Sequence, residues 1–331
     1  MFSGRRIDWF VKTVWTLLTD WHNRVFAQKI INHKSEIINH EYDLILCTAF
    51  SDFPLGAAAR IAEAWNVPLL CDIRDLDEQV DNSRYQYHHQ TKWLMPFRHI
   101  YRAIHIRQRN RVLRVANAIT TVSPWHADFI NKIINHKSKI INHKSPVTVI
   151  YNGYDSAQFY PQDTRTDTFR ITYIGSLFPW QQPALRKVQQ AIDEINQIIN
   201  NQSPITLSVH TPQSDPVAHD RLGDAIRRSG IMLVLTSTDT HGMLTTKFYE
   251  ALGCEKPVLC VPSDKGSLAE LIAYTNAGIA TDDIERIKTF IMEKYRQWQQ
   301  NGFTRQPTTH RDAFSREAQC EQMEKIINLK S

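Results

Sequence analysis

The sequence predicts an α/β protein of two lobes, each a parallel sheet with helices on both faces. Three observations carry that expectation. The chain has 331 residues, which at about 150 residues per domain gives two lobes more readily than one. Strand-like apolar runs alternate with helix-like periodic segments, the pattern of repeated βα units. The alternation comes in two series, separated by a stretch at 152–168 rich in Gly, Pro, Asp and Thr that reads as a linker.

The first series opens with the apolar run at 44–47. Residues 54–65 follow with helical periodicity and several alanines, and 68–73 are again strand-like and end in charge. Residues 95–116 read as a long basic helix and 118–122 as a strand; a short helix starts at Pro124 and a strand at Val147. The second series begins at Phe169 with the strand ITYIG, then a helix over 186–199, the strand ITLSV and a helix over 216–228. The strand IMLVLT, a helix over 245–252, the strand PVLCV and a helix from Ser267 complete it. The expected boundaries are 1–155 for the first lobe, 156–310 for the second, and 311–331 for a C-terminal helix that can cross back to the first.

A heptad interrupts this pattern. Residues 29–35, 132–138 and 139–145 read KIINHKS, 36–42 read EIINHEY, 197–203 read QIINNQS and 325–331 read KIINLKS. The copies come singly or in pairs between unrelated stretches, which excludes a solenoid. They read as short tandem insertions at helix C-termini, paired at 29–42 and 132–145, where extra turns add little loop-closure entropy. His33, His40, His136 and His143 lie in them, one per heptad and with no carboxylate or thiolate at ligand spacing, so they do not form a metal-site pattern.

Composition narrows the class. Apolar residues make up 42% and charged residues 22%, which excludes a disordered or collagenous chain. The five cysteines are odd in number, widely spread and without a CxxC pair; this argues against a disulfide framework or structural zinc and for a reducing compartment. No window approaches the roughly 18–20 apolar residues of a spanning helix, and the N-terminus has no secretory pattern. The expected place is the cytoplasm, with peripheral contact at the inner face of the membrane as the alternative. Lys and Arg number 39 against 34 Asp and Glu, a net charge of +5. That excess is too small and dispersed for nucleic acid, and it suits an anionic membrane surface or a phosphate-bearing ligand.

Ligands of open parallel sheets bind beyond the carboxyl ends of the strands. The polar residues there are Asp72, Arg74 and Asp75, then Ser123, then Asn152 and Gly153, then Gly175 and Ser176, and then Lys247 and Glu250 at the head of a helix. A Gly-Ser turn lets backbone N–H groups approach an anion, and a helix N-terminus near Thr245 and Thr246 adds its own N–H groups and dipole. Lys247 lies in that first turn and supplies a full positive charge. Glu250 lies three residues on, on the same face, where a carboxylate can accept hydrogen bonds from both hydroxyls of a ribose.

These residues, in this order, resemble the family-4 retaining glycosyltransferases, also called glycosyltransferase group 1. The matching segments are DIRDL at 72–76, TTVSPWHAD at 120–128, VIYNGYDSAQF at 149–159, ITYIGSL at 171–177, TTKFYEALGCEKPVLCV at 245–261 and ELIAYTNAGIA at 270–280. The resemblance extends from about 42 to DAFSREAQ at 312–319, and the 245–261 block is its specific part. It implies a GT-B fold, two Rossmann-like lobes with a cleft between them. It also implies transfer of a sugar, with retention, from a nucleotide diphosphate donor to a glycan or lipid-linked acceptor of the cell-surface polysaccharide type, without metal or cofactor. By the resemblance Gly175, Ser176, Thr245, Thr246, Lys247 and Glu250 bind the donor, with Glu250 on the ribose. Lys247, Arg74 and Asp75 are the catalytic candidates, and Asp72, Ser123, Asn152, Gly153 and His241 line the acceptor side or cleft.

The chain departs from the family in three places. Where members often carry a first Glu, eight residues before the ribose Glu, this sequence has Gly242. The loop after the Gly-Ser turn reads Leu177-Phe178-Pro179-Trp180-Gln181-Gln182 in place of an Arg and Lys pair. The chain opens with RRIDWFVKTVWTLLTDWHNRVFAQ in place of a strand and glycine-rich loop, so the N-terminal lobe is expected to be shortened by two or three βα units. These departures keep two alternatives open: a catalytically impaired nucleotide-sugar-binding or scaffold relative, and a nucleotide-sugar epimerase of the same fold. Three further features are noted. Asp75-Leu76-Asp77 matches a metal-binding DxD pattern that is common by chance. Residues 7–27 form either an interfacial amphipathic helix or one packed on its own lobe. Arg102, Arg107, Arg109, Arg111 and Arg114 form a basic helix that faces phospholipid, a lipid-diphosphate acceptor or solvent.

Overall fold

The computed structural model describes residues 20–32, 42–49, 53–79, 98–135, 147–200, 203–238 and 240–329. The chain divides into two compact units, Met1–Ile150 with Gln322–Ser331, and Tyr151–Glu321.

The first unit holds a parallel sheet in the order β1 (Ile45–Ala49), β2 (Leu69–Ile73), β3 (Ala118–Thr121) and β4 (Thr148–Val149). Every residue of β2, LLCDI, is buried, as a strand covered on both faces requires. The register sets Cys47 beside Cys71 and Asp72 beside Thr120. The helices are α1 (Trp21–Asn32), α2 (Leu55–Trp65), α3 (Arg98–Leu113) and α4 (Pro124–Asn135). Alanines at 57, 58 and 62 bury against their neighbours along α2, which ends at Asn66 in the left-handed conformation, φ 52°.

Of the aromatic-rich segment at 7–27, residues from 20 onward are described, and they begin α1. That part packs on its own lobe. Ala27 joins Ala57 and Ile61, and the Asn23 side chain accepts from the Ala57 N–H at 3.0 Å. Three KIIN copies close helices: α1 at Asn32, α4 at Asn135 and α10 (Arg316–Asn328) at Asn328. Residues 33–41 and 136–145 of the paired heptads, His33, His40, His136 and His143 included, lie outside the described residues.

The basic helix differs from the expectation of one exposed cationic face. Arg109 is fully buried and pairs through two bonds, 2.8 and 2.7 Å, with Glu78. Arg102 is also buried, donating to the Asp77 carbonyl. Seven residues make two helical turns, so these two arginines share the inward face of α3, whereas Arg107 and Arg111 are exposed.

The second unit holds a five-stranded parallel sheet, ordered β6 (Thr206–His210), β5 (Arg170–Ile174), β7 (Ile231–Leu235), β8 (Val258–Val261), β9 (Gly278–Ala280). Its further helices are α5 (Gln182–Ile198), α6 (Leu222–Arg227), α7 (Thr246–Gly253), α8 (Ser267–Tyr274) and α9 (Ile284–Asn301). Successive residues of β7 serve opposite layers, as strand geometry dictates. Ile231, Leu233 and Leu235 pack with Val188, Ile192, Ile291 and Tyr295, while Met232 and Val234 pack with Phe248, Leu252 and Leu268. The chain enters at β5, adds β6 on one side and β7 on the other. The point where strand order reverses therefore lies between β5 and β7, the place where such sheets bind ligands.

Cys47, Cys71, Cys254 and Cys260 are buried and Cys320 is exposed. Burial raises the thiol of Cys71, pushes that of Cys47 up to about 11, and those of Cys254 and Cys260 to about 12. Among the described residues no helix is long and apolar enough to cross a membrane, and no group of three or more His, Cys, Asp or Glu can hold a metal ion.

Candidate functional site

The donor-side candidates converge at the switch point of the second unit. Strand β5 ends in Ile174, and Gly175 follows with φ +132°, a conformation that disfavours any residue with a side chain. Its N–H donates to the His210 carbonyl at 2.9 Å. A Cβ at Gly175 would stand 2.5 Å from Lys247 Cε and 2.8 Å from its Nζ. Glycine here is thus what lets the lysine side chain lie across the turn.

Lys247 is the second residue of α7. Thr245, the N-cap, is extended and forms no side-chain cap bond; the Phe248 N–H donates to its carbonyl at 3.2 Å, which leaves those of Thr246 and Lys247 for an external acceptor. Helices α8 and α9 differ, since Asp264 accepts from the Leu268 and Ala269 N–H groups and Asp283 from that of Glu285. Among the described residues the Lys247 ammonium has no ion pair; it stands 5.5 Å from the centroid of the Tyr173 ring. Burial draws its pKa down, opposed by Glu250. Glu250 is half-buried, and burial raises its carboxyl against the pull of Lys247, Arg316 and His219. Ser176 and Thr246 are exposed and Thr245 half-buried. The turn opened by Gly175, the Ser176 N–H and the start of α7 at Thr245, Thr246 and Lys247 together make a cradle with one cation across it, suited to a diphosphate. Glu250 stands three residues on along α7.

Two residues that sequence reasoning passed over shape this cradle. The Tyr173 hydroxyl donates to the Ser176 carbonyl at 2.6 Å. Gln181, buried, accepts from the Phe178 N–H at 2.9 Å and donates to the Leu235 carbonyl at 2.9 Å. Where the family resemblance led us to note a missing cation, the structure has a side chain that pins the loop after β5 to the end of β7.

The other candidates are placed as follows. Gly153, φ +66°, lies against the Phe314–Arg316 backbone, and a Cβ there would stand 2.9 Å from the Phe314 carbonyl oxygen. The neighbouring Tyr154 N–H donates to that same carbonyl at 3.0 Å. Asn152 precedes this turn, and Tyr151 donates its N–H to the Gln319 side chain at 2.7 Å. His241 is exposed, beside Gly242 with φ +65°.

In the first unit, Asp72 is the penultimate residue of β2, with only 2% exposure. Its Oδ1 accepts from Thr120 at 2.7 Å, and its Oδ2 from Thr48 at 3.2 Å and Arg74 Nε at 2.7 Å. Both oxygens are engaged, so Asp72 serves to orient Arg74. Asp75 accepts from Gln79 Nε2 at 3.0 Å, and Gln79 Oε1 meets His126 Nε2 at 2.8 Å. Burial lowers the imidazole of His126 to about 4. Ser123 is fully buried, and its hydroxyl accepts from the His126 N–H at 3.2 Å as a cap on α4. The Asp75 carboxylate accepts from Gln79, and the backbone carbonyl of Asp77 accepts from Arg102.

No family model matches the chain, and no curated protein matches it by sequence. Solved structures match it by shape. Sucrose-phosphate synthase from Thermosynechococcus elongatus aligns with TM-score 0.56 at 14% identity, over 92% of this chain and 77% of that one. HepE of Anabaena, solved in complex with UDP, aligns with TM-score 0.57 at 14% identity, over 91% of this chain and 81% of that one. An α,α-trehalose 6-phosphate synthase from Burkholderia multivorans aligns with TM-score 0.57 at 10% identity, over 92% and 74%. In fold, the chain is GT-B, of the kind found in the group 1 glycosyltransferases.

Proposed function

We propose that the chain is a glycosyltransferase that moves a sugar, with retention, from a nucleotide diphosphate donor to a glycan or lipid-linked acceptor. The observation that carries this reading is the side chain of Lys247 lying across Gly175 at the switch point, beside the uncapped start of α7. When the bond between the anomeric carbon and the diphosphate oxygen breaks, negative charge grows on the leaving phosphate. The N–H groups of Ser176, Thr246 and Lys247 and the Lys247 ammonium meet that charge where it develops, and interactions that strengthen in the transition state accelerate the step. Glu250 binds the ribose. Arg74, oriented by Asp72, and Asp75 are the groups of the first unit in this reading. The donor is itself the substrate, and the scheme calls on no metal or other cofactor.

The structures that align include one with UDP and one with UDP-glucose bound, both of HepE, which supports uridine diphosphate as the first nucleotide to try. Calorimetric titration of the full chain with UDP, GDP, ADP and CMP tests the donor half. Sugar release from UDP-glucose, with and without a glycan acceptor, tests the transfer half. Nucleotide binding without transfer would support a second reading, a non-catalytic relative, which Gly242 favours because no carboxylate stands at that position.

A further inference from the structure

The loop after β5 carries an apolar feature that the donor cradle does not use. Phe178 and Trp180 stack on each other with ring planes 3° apart and centroids at 5.5 Å. Both are exposed, at 44% and 37%. Here the loop is fixed at both ends: Gln181 holds the Phe178 N–H and the end of β7, and Tyr173 holds the carbonyl of Ser176. The rings are therefore presented rigidly, and Phe178 lies two residues from Ser176 of the cradle.

We propose that Phe178 and Trp180 form a stacking platform for a pyranose ring. The proposal rests on the glycosyltransferase reading and names a group that recognises its sugar. The face of an aromatic ring is negative, and one side of a pyranose presents several C–H bonds polarised by their oxygens, so the two surfaces attract. The sugar's hydroxyls stay at the rim. Because the two rings stack on each other, the platform is one outer ring face backed by the second ring; half-exposed, it leaves that rim in water, which suits a sugar, whereas an acyl chain gains only where a longer apolar surface encloses it. The pyranose can be that of the donor, attached to the diphosphate, or that of the acceptor, and both sources present the same chemistry.

The test uses the full chain and the double variant Phe178→Ala/Trp180→Ala, with Trp180→Phe as the conservative control. Saturation-transfer NMR and titration calorimetry are run with UDP, UDP-glucose, maltose and cellobiose. Thermal midpoints confirm that the variants fold, and little change is expected because both rings are already exposed. UDP affinity is expected to stay within about twofold. Loss of one stacked ring is worth roughly fivefold to a hundredfold in affinity. A donor platform shows as loss of the margin of UDP-glucose over UDP; an acceptor platform shows as loss of disaccharide signal. Trp180→Phe retains either one.

Sugar binding that survives in the double variant overturns the proposal. So does a parent chain that shows neither a UDP-glucose margin nor disaccharide binding, and so does a parallel tenfold loss of UDP itself, which would make the rings a base platform. If the parent binds disaccharide through these rings but no nucleotide, the platform stands and the donor reading of Gly175 and Lys247 falls.

Discussion

Substituting Gly175 by alanine perturbs the cradle in two separable ways. The backbone at 175 has φ +132°, and holding a residue with a Cβ there adds strain of about 1–3 kcal/mol. The new methyl would also meet Lys247 Cε at 2.5 Å and Nζ at 2.8 Å. Those atoms are the far end of a flexible side chain, so the lysine swings aside and the clash adds less than the strain. A kcal/mol shifts the midpoint of a domain of 150–250 residues by roughly 2–4 °C, so Gly175→Ala lowers it by about 2–12 °C. The second effect is on ligand. UDP at 100 times its dissociation constant adds about 2.7 kcal/mol to the parent, roughly 5–11 °C. In Gly175→Ala that increment falls below half, because the ammonium has left the turn. Thermal unfolding of parent, Gly175→Ala, Lys247→Ala and the double variant, each with and without UDP, measures both. Removing the lysine relieves the clash, so the glycine substitution is less damaging in the Lys247→Ala background by about 0.5 kcal/mol or more. A Gly175→Ala chain with the parent's midpoint and the parent's UDP shift would refute the reasoning.

Further outcomes are expected. Glu250→Gln lowers UDP affinity by about 1.5–3 kcal/mol in calorimetry; since burial raises the native carboxyl pKa, the ligand-free midpoint stays level or rises, and a fall would assign Glu250 a structural role. Lys247→Met lowers kcat more than donor affinity, because the leaving diphosphate gains charge in the transition state; equal losses would leave only ground-state attraction. The ammonium of Lys256 is buried, donates to the Thr304 carbonyl at 2.9 Å and is pushed down to about 8 from an ordinary 10.5. The unfolded chain then binds the extra proton between those values, so stability rises with pH across that window, by about 3 kcal/mol, and denaturant titrations of Lys256→Met lack the rise. His126 follows the same sign lower down: its contribution is complete above 6.5 and is lost as pH falls through about 4, a slope that His126→Gln removes.

The strand and helix order, the two series and the pairing of Gly175 with the head of α7 were legible because a parallel sheet brings the ends of its strands to one edge. Local pattern is enough to find those ends. The fate of the arginines on α3 was not read from residue type, which suggests surface. The spacing from Arg102 to Arg109 does put both on one face, but what makes that face internal is Glu78, from a different segment. Ser123 was legible as a residue before Pro124 and not as a buried cap, because burial comes from packing around it. Tyr173 and Gln181 were hidden for the opposite reason: their work is done through backbone groups, which carry no sequence signature.

The placement of the cysteines gives the chain a built-in timing device. In the native state one thiol, that of Cys320, meets solvent, so a maleimide reagent should attach once per chain. Any further attachment waits for a buried thiol to be uncovered. Cys47 and Cys71 sit on β1 and β2 of one unit, and Cys254 and Cys260 sit just after α7 and on β8 of the other. Peptide-resolved labelling rates at rising denaturant thus report the opening of each sheet independently. Without introducing a single substitution, one can ask whether UDP retards reagent uptake at Cys254 and Cys260 while leaving the other pair's rate alone.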